Sequence, residues 1–228
     1  MFVALLRHTE TETSDVYPTD QQTILSAAGR EAAVALQPAV AAYAPDQVWR
    51  SELRRAAQTW NLAGARTALR PRVHPGLNER HFRSLEGLTR AEIAARVGTE
   101  QTEVARRAPE LFDPPGEESI DEARVRLVAA TTEIVQEAAV HAARRILIVT
   151  HGGPSSWLLC HLLNRPLVEN RMFRHDQGRF HLIAVDADLE LLQIAALNSA
   201  DLPGPGGLAL TRPGRANDHL SAPGGVLS

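Results

Sequence analysis

Two short, continuous runs of apolar residues stand out along the chain, and both predict β-strands that are covered on both faces. The first is FVALL at residues 2–6, and the second is ILIVT at residues 146–150. Runs of this length without polar alternation are typical of the buried strands of a parallel sheet. Further, weaker strands are predicted near 47–49, 72–74, 180–186 and 190–196, the last two joined by a tight Asp-Ala-Asp turn.

Helical periodicity fills most of the sequence between these strands. The predicted helices cover residues 27–43 after an N-cap at Ser26, with a kink or break at Pro38, and then 53–65, 89–97, 119–142 and a segment opened by Pro154. Residues 99–118 are polar and rich in proline, which predicts a mobile insertion or lid.

The alternation of strands and helices predicts one α/β domain over residues 1–198. We expect a three-layer sandwich, in which helices flank a mainly parallel central sheet, with a helical or loop insertion at about 80–118 over the active site. Residues 199–228 are rich in proline and glycine and predict a loosely ordered C-terminal tail.

Charge and composition exclude several classes of function. The net charge of −3 on 228 residues gives no reason to expect a nucleic acid or a membrane as partner, and no apolar run is long enough to span a bilayer. The single cysteine, Cys160, and the lack of an N-terminal leader pattern predict a cytoplasmic protein. All 24 Lys and Arg positions are arginine, so a lysine Schiff base or a P-loop lysine is excluded.

Histidines follow both strong strands directly. FVALL runs into Arg7-His8, and ILIV runs into Thr150-His151-Gly152. Ligands of parallel α/β sheets bind at the carboxyl ends of the strands, so the two histidines are expected to share one pocket. A single buried histidine is more often structural, but two at equivalent strand ends favour a functional site.

A third element points to the same edge of the sheet. The segment from Ser51 to Thr59 starts a helix after the strand at 47–49, with Ser51 at the expected N-cap and Arg55 in the first turn. A helix start and an arginine there together favour an anion such as phosphate. Exposure on the helix surface remains the other interpretation, and it fits Arg54 better than Arg55.

The ordered set of motifs resembles the histidine phosphatase superfamily, the phosphoglycerate-mutase-like proteins. Its Arg-His-Gly-Glu-Thr signature is similar to RHTET at residues 7–11, and its late Thr-His-Gly to residues 150–152. Other blocks of the family match in the same order over residues 2–198, namely L25/G29/A33, S51/L53/R55/A56/Q58/T59, L77/E79, E86/G87 and GEES at 116–119.

The resemblance implies a metal-independent phosphomonoesterase that needs no cofactor. His8 would be the nucleophile that forms a phosphohistidine, and it must be neutral, which the nearby arginines favour. Arg7, Arg55 and His151 would hold the phosphoryl oxygens, and Glu79 would act as general acid and base. Ser14 and Gly152 would complete the phosphate-binding set.

Several positions depart from the family pattern. Thr9 replaces the usual glycine, where its branched side chain would take space beside the phosphate, and Ser14 replaces the usual asparagine. FRSLEG at 82–87 stands where the family has Phe-Gly-x-Trp-Glu-Gly, which leaves the substrate side of the pocket open. Arg83 and the cluster RMFRH at 171–175 could bind a second anionic group, but we favour a surface position for both.

Three functions compete on the sequence alone. A phosphatase that acts on a small phosphorylated metabolite is favoured over a phosphoglycerate-type mutase, because TETS at 11–14 lacks the mutases' Trp-Asn pair. The long Arg/Tyr/Pro-rich insertion of the mutases after the acid is also missing. A non-catalytic phosphate-binding module is disfavoured because the nucleophile and the acid are present. A homodimer is left open.

Overall fold

The computed structural model describes residues 1–19, 23–107 and 111–209. Its six strands are β1 (Phe2–Arg7), β2 (Gln47–Arg50), β3 (Arg72–Val73), β4 (Arg145–Thr150), β5 (Phe180–Val185) and β6 (Leu191–Ser199). Its α-helices are α1 (Ala27–Ala35), α2 (Gln37–Tyr43), α3 (Arg54–Ala63), α4 (Arg90–Arg107), α5 (Ile120–Val140) and α6 (Gly152–Leu162).

The six strands form one sheet in the order β3-β2-β4-β1-β5-β6. Strands β3, β2, β4 and β1 are parallel to their neighbours, whereas β5 pairs antiparallel with β1 and β6 antiparallel with β5. The predicted α/β fold with a mainly parallel sheet flanked by helices is therefore confirmed. The hairpin β5–β6 adds the antiparallel edge that many α/β sheets carry.

The alternation of side chains along β1 explains why its whole run is apolar. Val3 and Leu5 pack into a core shared with α5 and α6, while Ala4 and Leu6 pack into a second core on the opposite face, against α2 and α3. These four side chains are at most 2% exposed. Both faces of the strand are covered by helices, so no position along it can be polar without burying an unpaired group.

Local signals in the sequence set several helix boundaries. Ser26 caps α1, because its hydroxyl accepts a hydrogen bond from the Gly29 N–H at 2.9 Å. The predicted break near Pro38 is confirmed, since α1 ends before it and Pro38 lies in the first turn of α2. Ser119 opens α5 with a capping box that includes Glu122.

The region between Glu79 and α5 contains more helix than its polar composition predicts. The predicted end of the helix at 97 is confirmed, because Gly98 has a non-helical backbone, with φ at +81° and ψ at 172°, so α4 consists of two helices that meet at this glycine. The second helix, which ends at Arg107, was not predicted, although its run EQTEVARR at 100–107 contains several strong helix formers. Pro109 lies outside the described residues.

The hairpin β5–β6 has the predicted tight turn. The Asp186 carboxylate accepts hydrogen bonds from the N–H groups of Asp188 and Glu190, at 3.0 and 2.9 Å. Strand β6 extends to Ser199, and Leu202 is buried against the second core. Residues 210–228, most of the predicted tail, lie outside the described residues, and the division into domain and tail stays a prediction.

Within the described parts of the chain, no helix combines the length and apolar character that a membrane span requires.

Candidate active site

The carboxyl ends of β1 and β4 bring the two predicted histidines together. Arg7 pairs with Thr150 in the parallel register, and the N–H of His8 donates to the carbonyl of Thr150 at 3.0 Å. The imidazole rings of His8 and His151 consequently lie with their centroids 5.1 Å apart. The two rings are therefore neighbours at the strand ends, as expected from the sequence, and their roles at one site stay a prediction.

The His8 imidazole is held as a neutral ring of one tautomer. Its Nδ1 lies 2.8 Å from the carbonyl oxygen of Thr9, which can only accept, so we assign the ring proton to Nδ1. The pKa of His8 is lowered to about 3, mainly by burial and also by the positive charges of Arg55 and Arg7. Nε2 therefore carries a lone pair at neutral pH. The sequence suggested the arginines as the cause, but burial contributes more.

Ser51 contacts His151, and the prediction that it caps the following helix is wrong. The N-cap of α3 is Leu53, and it makes no side-chain capping bond. The Ser51 hydroxyl instead lies 2.8 Å from Nε2 of His151 and accepts the Leu53 N–H at 3.3 Å. The extended chain at 51–53 points the hydroxyl towards β4, because the Ser51 N–H continues the pairing of β2 with β4 by donating to the Val149 carbonyl.

His151 is fully buried, and one of its ring nitrogens has no hydrogen-bond partner. Its exposure is 0%, and Nδ1 contacts no acceptor or donor among the described residues. Burial lowers the pKa of His151 well below its usual value, and Arg55 is the largest charged contributor. With the Ser51 hydroxyl donating to Nε2, the proton of the neutral ring would sit on Nδ1 as an N–H without an acceptor.

Two arginines surround these rings. Arg55 is only 7% exposed at the start of α3, as the predicted position in the first turn implies, while the neighbouring Arg54 is exposed. Arg7 donates through Nη1 to the carbonyl of His175 at 2.6 Å, and its buried Nε has no partner among the described residues. Burial lowers the pKa of Arg7, which nevertheless remains a cation at neutral pH.

Gly152 is needed for the position of Arg7. A Cβ added at this glycine would lie 3.0 Å from Cζ of the Arg7 guanidinium. The absence of a side chain therefore lets α6 start directly against the arginine. The predicted role of Gly152 in binding phosphate stays a prediction.

The loop that carries Glu79 is fastened from three sides. The Thr150 hydroxyl donates to the carbonyl of Leu77 at 2.8 Å, and Arg126 on α5 donates to the carbonyl of Asn78 at 3.2 Å. The Asn78 side chain in turn accepts the Glu52 N–H at 3.0 Å. Contacts with β4, α5 and the start of α3 thus place the acid beside the strand ends.

The carboxyl group of Glu79 lies beside the start of α6. Its two oxygens accept the N–H groups of Arg80 and Gly153, both at 3.2 Å. The residue as a whole is partly exposed because it lines a cleft, but the carboxyl itself is surrounded by protein atoms. This burial raises the pKa of Glu79, against the opposing positive charges of Arg55 and Arg7.

A cleft of about 750 Å³ opens in front of Arg7 and Glu79. Its other walls come from the segment after Glu79, the first turns of α6 and the 3-10 helix Leu167–Phe173 with the residues after it, namely Arg80, Phe82, Gly152, Gly153, Ser156, Trp157, Asn170, Arg171, Arg174 and His175. The size and the mixed lining suit a small metabolite.

The cluster at 171–175 is partly at the surface, as favoured from the sequence, since Arg171 and Arg174 are exposed, but it also borders the cleft. Arg171, Arg174 and His175 all line the cleft, and His175 is only 2% exposed. The segment folds back over α6, where the Ser156 hydroxyl donates to the Phe173 carbonyl at 2.9 Å. Arg83, in contrast, is exposed and is not part of the cleft wall, as favoured from the sequence.

The two departures from the family pattern lie in different surroundings. Thr9 is buried, and its N–H donates to the hydroxyl of Thr59 at 3.1 Å, which fixes the turn after His8. Ser14 is exposed, and its hydroxyl accepts the Val16 N–H at 3.3 Å. The structure therefore does not bring Ser14 into the cleft wall with Arg7 and Glu79, and its role in binding stays a prediction.

Arg80 is a residue at the site that the sequence did not reveal. Its guanidinium is buried and donates to the carbonyls of Phe112 and Glu118, at 2.8 and 2.9 Å, and to the carboxylate of Asp113. It also lies over the Phe82 ring, 4.9 Å from the centroid. Arg80 thus joins the loop of the acid to the end of the segment 80–118. Only its position next to Glu79 could have indicated this.

Four buried histidines make the free energy of unfolding depend on pH. Burial lowers the pKa of His8 and His175 to about 3, that of His181 to about 4, and that of His151 well below 6.5. The unfolded chain therefore binds more protons than the folded one below pH 6.5, and stability is lost as the pH falls from about 6.5 towards 4. Each residue contributes at most about 1.4 kcal/mol per pH unit.

Urea unfolding at pH 7, 6 and 5 measures this dependence. We expect the free energy of unfolding to fall over this range and the slope to be shallower in His181→Leu. The matched control is His141→Leu, whose side chain is 61% exposed, and which should keep the slope of the parent protein. An unfolding free energy that stays constant from pH 7 to pH 5 would contradict the assignment of these rings as neutral.

Comparison with known proteins agrees with this site. The model of the histidine phosphatase superfamily (branch 1) matches residues 3–198, and the chain belongs to this superfamily. The predicted fold, family and type of enzyme are confirmed by this match and by the phosphatases among the similar proteins.

Three relatives illustrate the similarity. The glucosyl-3-phosphoglycerate phosphatase of Mycobacterium tuberculosis is 31% identical over 172 residues, 72% of this chain and 76% of its own. The alpha-ribazole phosphatase of Shigella flexneri has a TM-score of 0.72 and 27% identity, with 89% of this chain and 98% of that chain covered. A 2,3-bisphosphoglycerate-dependent phosphoglycerate mutase of Cytophaga hutchinsonii is 32% identical over 133 residues, 58% of this chain but only 60% of its own length.

Proposed function

We propose that the protein is a metal-independent phosphomonoesterase that hydrolyses a small phosphorylated metabolite through a phosphohistidine on His8. The observation that carries the proposal is the buried, neutral His8 ring, whose proton is held on Nδ1 by the Thr9 carbonyl. This arrangement leaves the Nε2 lone pair for attack on phosphorus. A structural histidine at this place would have no need of a fixed tautomer beside two arginines.

The groups around His8 suit a phosphoryl group in charge and in hydrogen bonding. Arg7 Nε and His151 Nδ1 are buried nitrogens without partners among the described residues, and Arg55 adds a further positive charge. Phosphoryl oxygens are acceptors that would satisfy such donors. Positive charge placed in advance where negative charge develops lowers the barrier of phosphoryl transfer.

In the first step, Nε2 of His8 attacks phosphorus and the bond between phosphorus and the ester oxygen breaks. The leaving oxygen takes a proton from the Glu79 carboxyl, whose raised pKa keeps more of it protonated. In the second step, a water molecule attacks the phosphohistidine and gives its proton to the Glu79 carboxylate. The bond between phosphorus and nitrogen breaks, and both residues return to their starting states.

A phosphoglycerate-type mutase is the second candidate, and the similarity to the Cytophaga mutase is the observation that favours it. In a mutase the phosphoryl group on His8 would return to another oxygen of the substrate. The sequence TETS at 11–14 and the relatives that are phosphatases favour water as the acceptor. A non-catalytic module is disfavoured because the nucleophile, the acid and the arginines are all present.

A screen of phosphorylated metabolites, followed by phosphorus NMR, tests the proposal directly. A phosphatase releases inorganic phosphate, a mutase converts one phosphoester into an isomer, and an inert module changes neither. We expect inorganic phosphate from at least one small phosphoester. Isomerisation without release of phosphate would replace the proposal with the mutase, and no change with any compound would reject catalysis.

Activity is expected to be insensitive to chelators and sensitive to vanadate. The arginines can supply the positive charge that a metal ion provides in other phosphatases, and no cluster of metal-ligating side chains occurs in residues 1–19, 23–107 and 111–209. Dialysis against EDTA should leave the rate of phosphate release within about twofold. Orthovanadate, a mimic of five-coordinate phosphorus, should inhibit competitively. Strong loss of activity in EDTA, restored by a divalent metal, would contradict the metal-independent mechanism.

A further inference from the structure

An amide without hydrogen bonds lies in the wall of the cleft. Asn170 is only 1% exposed, yet neither its Oδ1 nor its Nδ2 has a partner among the described residues. The nearby wall contains a second group of this kind, the indole Nε1 of Trp157, which is buried and unpaired as well. Most buried polar atoms in folded proteins are hydrogen-bonded, so two such groups in one cleft require an explanation.

Both residues line the same cleft as Glu79, and Trp157 lies in the part of it beside the acid. A Cβ added at Gly153 would lie 2.6 Å from Oε1 of Glu79 and 2.8 Å from Cζ2 of Trp157. The edge of the indole ring that includes Cζ2 and the carboxyl of Glu79 therefore both lie against Gly153 at the start of α6. A substrate whose ester oxygen faces Glu79 would extend its alcohol portion along this wall.

The hydrogen-bonding character of the pair selects the chemistry of its ligand. The amide offers one acceptor and one donor group, and the indole offers a donor only. A hydroxyl group both donates and accepts, so it can satisfy the amide from either side. A carboxylate can only accept and would leave the amide oxygen unpaired, and an apolar group would satisfy neither. Both orientations of the amide have the same requirement for a donor and an acceptor.

We propose that Asn170 and Trp157 form a subsite for a hydroxyl of the substrate's alcohol portion, so that the preferred substrates are phosphorylated polyols or sugars. The proposal rests on the proposed phosphatase function and adds the class of substrate. Loss of hydrogen bonds to a ligand hydroxyl lowers selectivity by about 5- to 150-fold, because the protein groups are then left unpaired.

Matched pairs of substrates test the subsite. We would compare kcat/KM for sn-glycerol 3-phosphate with propyl phosphate, and for glucose 6-phosphate with cyclohexylmethyl phosphate. The wild-type protein should prefer the hydroxylated member of at least one pair by about tenfold or more. Asn170→Leu should reduce that preference at least fivefold, and Trp157→Phe, which removes the N–H but keeps an aromatic ring, should reduce it as well.

Two controls separate recognition from structure. Met172 lies on the same 3-10 helix but is 66% exposed and outside the cleft wall, so Met172→Ala should keep the preference. The melting temperature of Asn170→Leu should be equal to or above that of the wild type, because a buried amide without partners is replaced by an apolar side chain of similar size. A lower melting temperature, with equal losses on both members of a pair, would assign Asn170 a structural role.

If the phosphatase proposal fails, the subsite can still be tested by measuring binding with isothermal titration calorimetry. If no ester is hydrolysed, the same four compounds can be titrated into the wild type and into Asn170→Leu. Tighter binding of a hydroxylated ester that the substitution removes would support the subsite without catalysis. Equal affinity for both members of each pair, or a preference that survives the substitution, would overturn it.

Discussion

Replacing His8 with alanine is expected to abolish the hydrolysis of phosphoesters, with kcat reduced at least about 10⁴-fold. The substitution removes the imidazole that would form the bond to phosphorus, and alanine offers no other nucleophile. The ring is 6% exposed and lies at the end of a strand buried on both faces, so a smaller side chain should leave the fold in place. Steady-state release of phosphate, with circular dichroism as a check of folding, measures the effect.

The matched control for this variant is His141→Ala. His141 is also a histidine and follows α5 directly. Its side chain is 61% exposed and does not line the cleft. Its activity should stay within about twofold of the wild type, as is usual for surface substitutions. Turnover by His8→Ala at a tenth or more of the wild-type rate would rule out His8 as the nucleophile.

Replacing Glu79 with glutamine should slow the hydrolysis of alkyl phosphates by about 10²–10⁴-fold, the range typical of general acid catalysis. The effect on p-nitrophenyl phosphate should be much smaller, because its leaving group is stable as an anion and needs no proton. Glutamine keeps the size of the side chain, and its carbonyl oxygen can still accept one of the two N–H groups, that of Arg80 or that of Gly153. The ratio of the two losses is therefore the informative quantity.

The pH profile gives the same variant a second signature. Glu79 must be protonated to act as the acid, and burial raises its pKa, so kcat/KM for an alkyl phosphate should fall as the pH rises through that pKa. Glu79→Gln should lose this dependence, while Glu31→Gln, an exposed position on α1, should keep it. Equal losses on alkyl and aryl substrates would argue against Glu79 as the acid.

The parts of the fold and site that the sequence predicts are those that depend on short stretches of chain. FVALL and ILIV are apolar without interruption because β1 and β4 are central strands covered on both faces, and a polar side chain there would need a buried partner. His8 and His151 could be located because each directly follows the end of such a strand. Ser26 and Ser119 could be recognised as caps because capping involves neighbours within three residues.

Features that depend on contacts between distant segments could not be predicted. Ser51 has the position of an N-cap in the sequence, but its partner is His151, which is 100 residues away. The cluster at 171–175 resembles an exposed loop, and its place in the cleft wall depends on how it packs on α6. Asn170 carries no signal at all, because nothing in the sequence shows that a buried amide lacks partners.

The causes of the lowered pKa of His8 also divide into one that the sequence predicts and one that it does not. The sequence indicated that Arg7 and Arg55 would lower the pKa of His8, and both do, but burial is the larger cause. Burial depends on the complete packing around the ring, including Thr9 held by Thr59 on α3. The nearness of an arginine to a histidine can be inferred from a motif, whereas the solvent that the fold excludes cannot.

The central claim is that His8 carries the phosphoryl group between the two half-reactions. The most direct measurement is to mix Glu79→Gln with p-nitrophenyl phosphate, quench within milliseconds in alkali, where phosphohistidine survives, and locate the phosphate by peptide mass spectrometry. We expect one phosphate per chain, on an imidazole nitrogen of His8. A phosphate found on any other residue would contradict it, and so would rapid release of p-nitrophenol by an enzyme that never becomes phosphorylated.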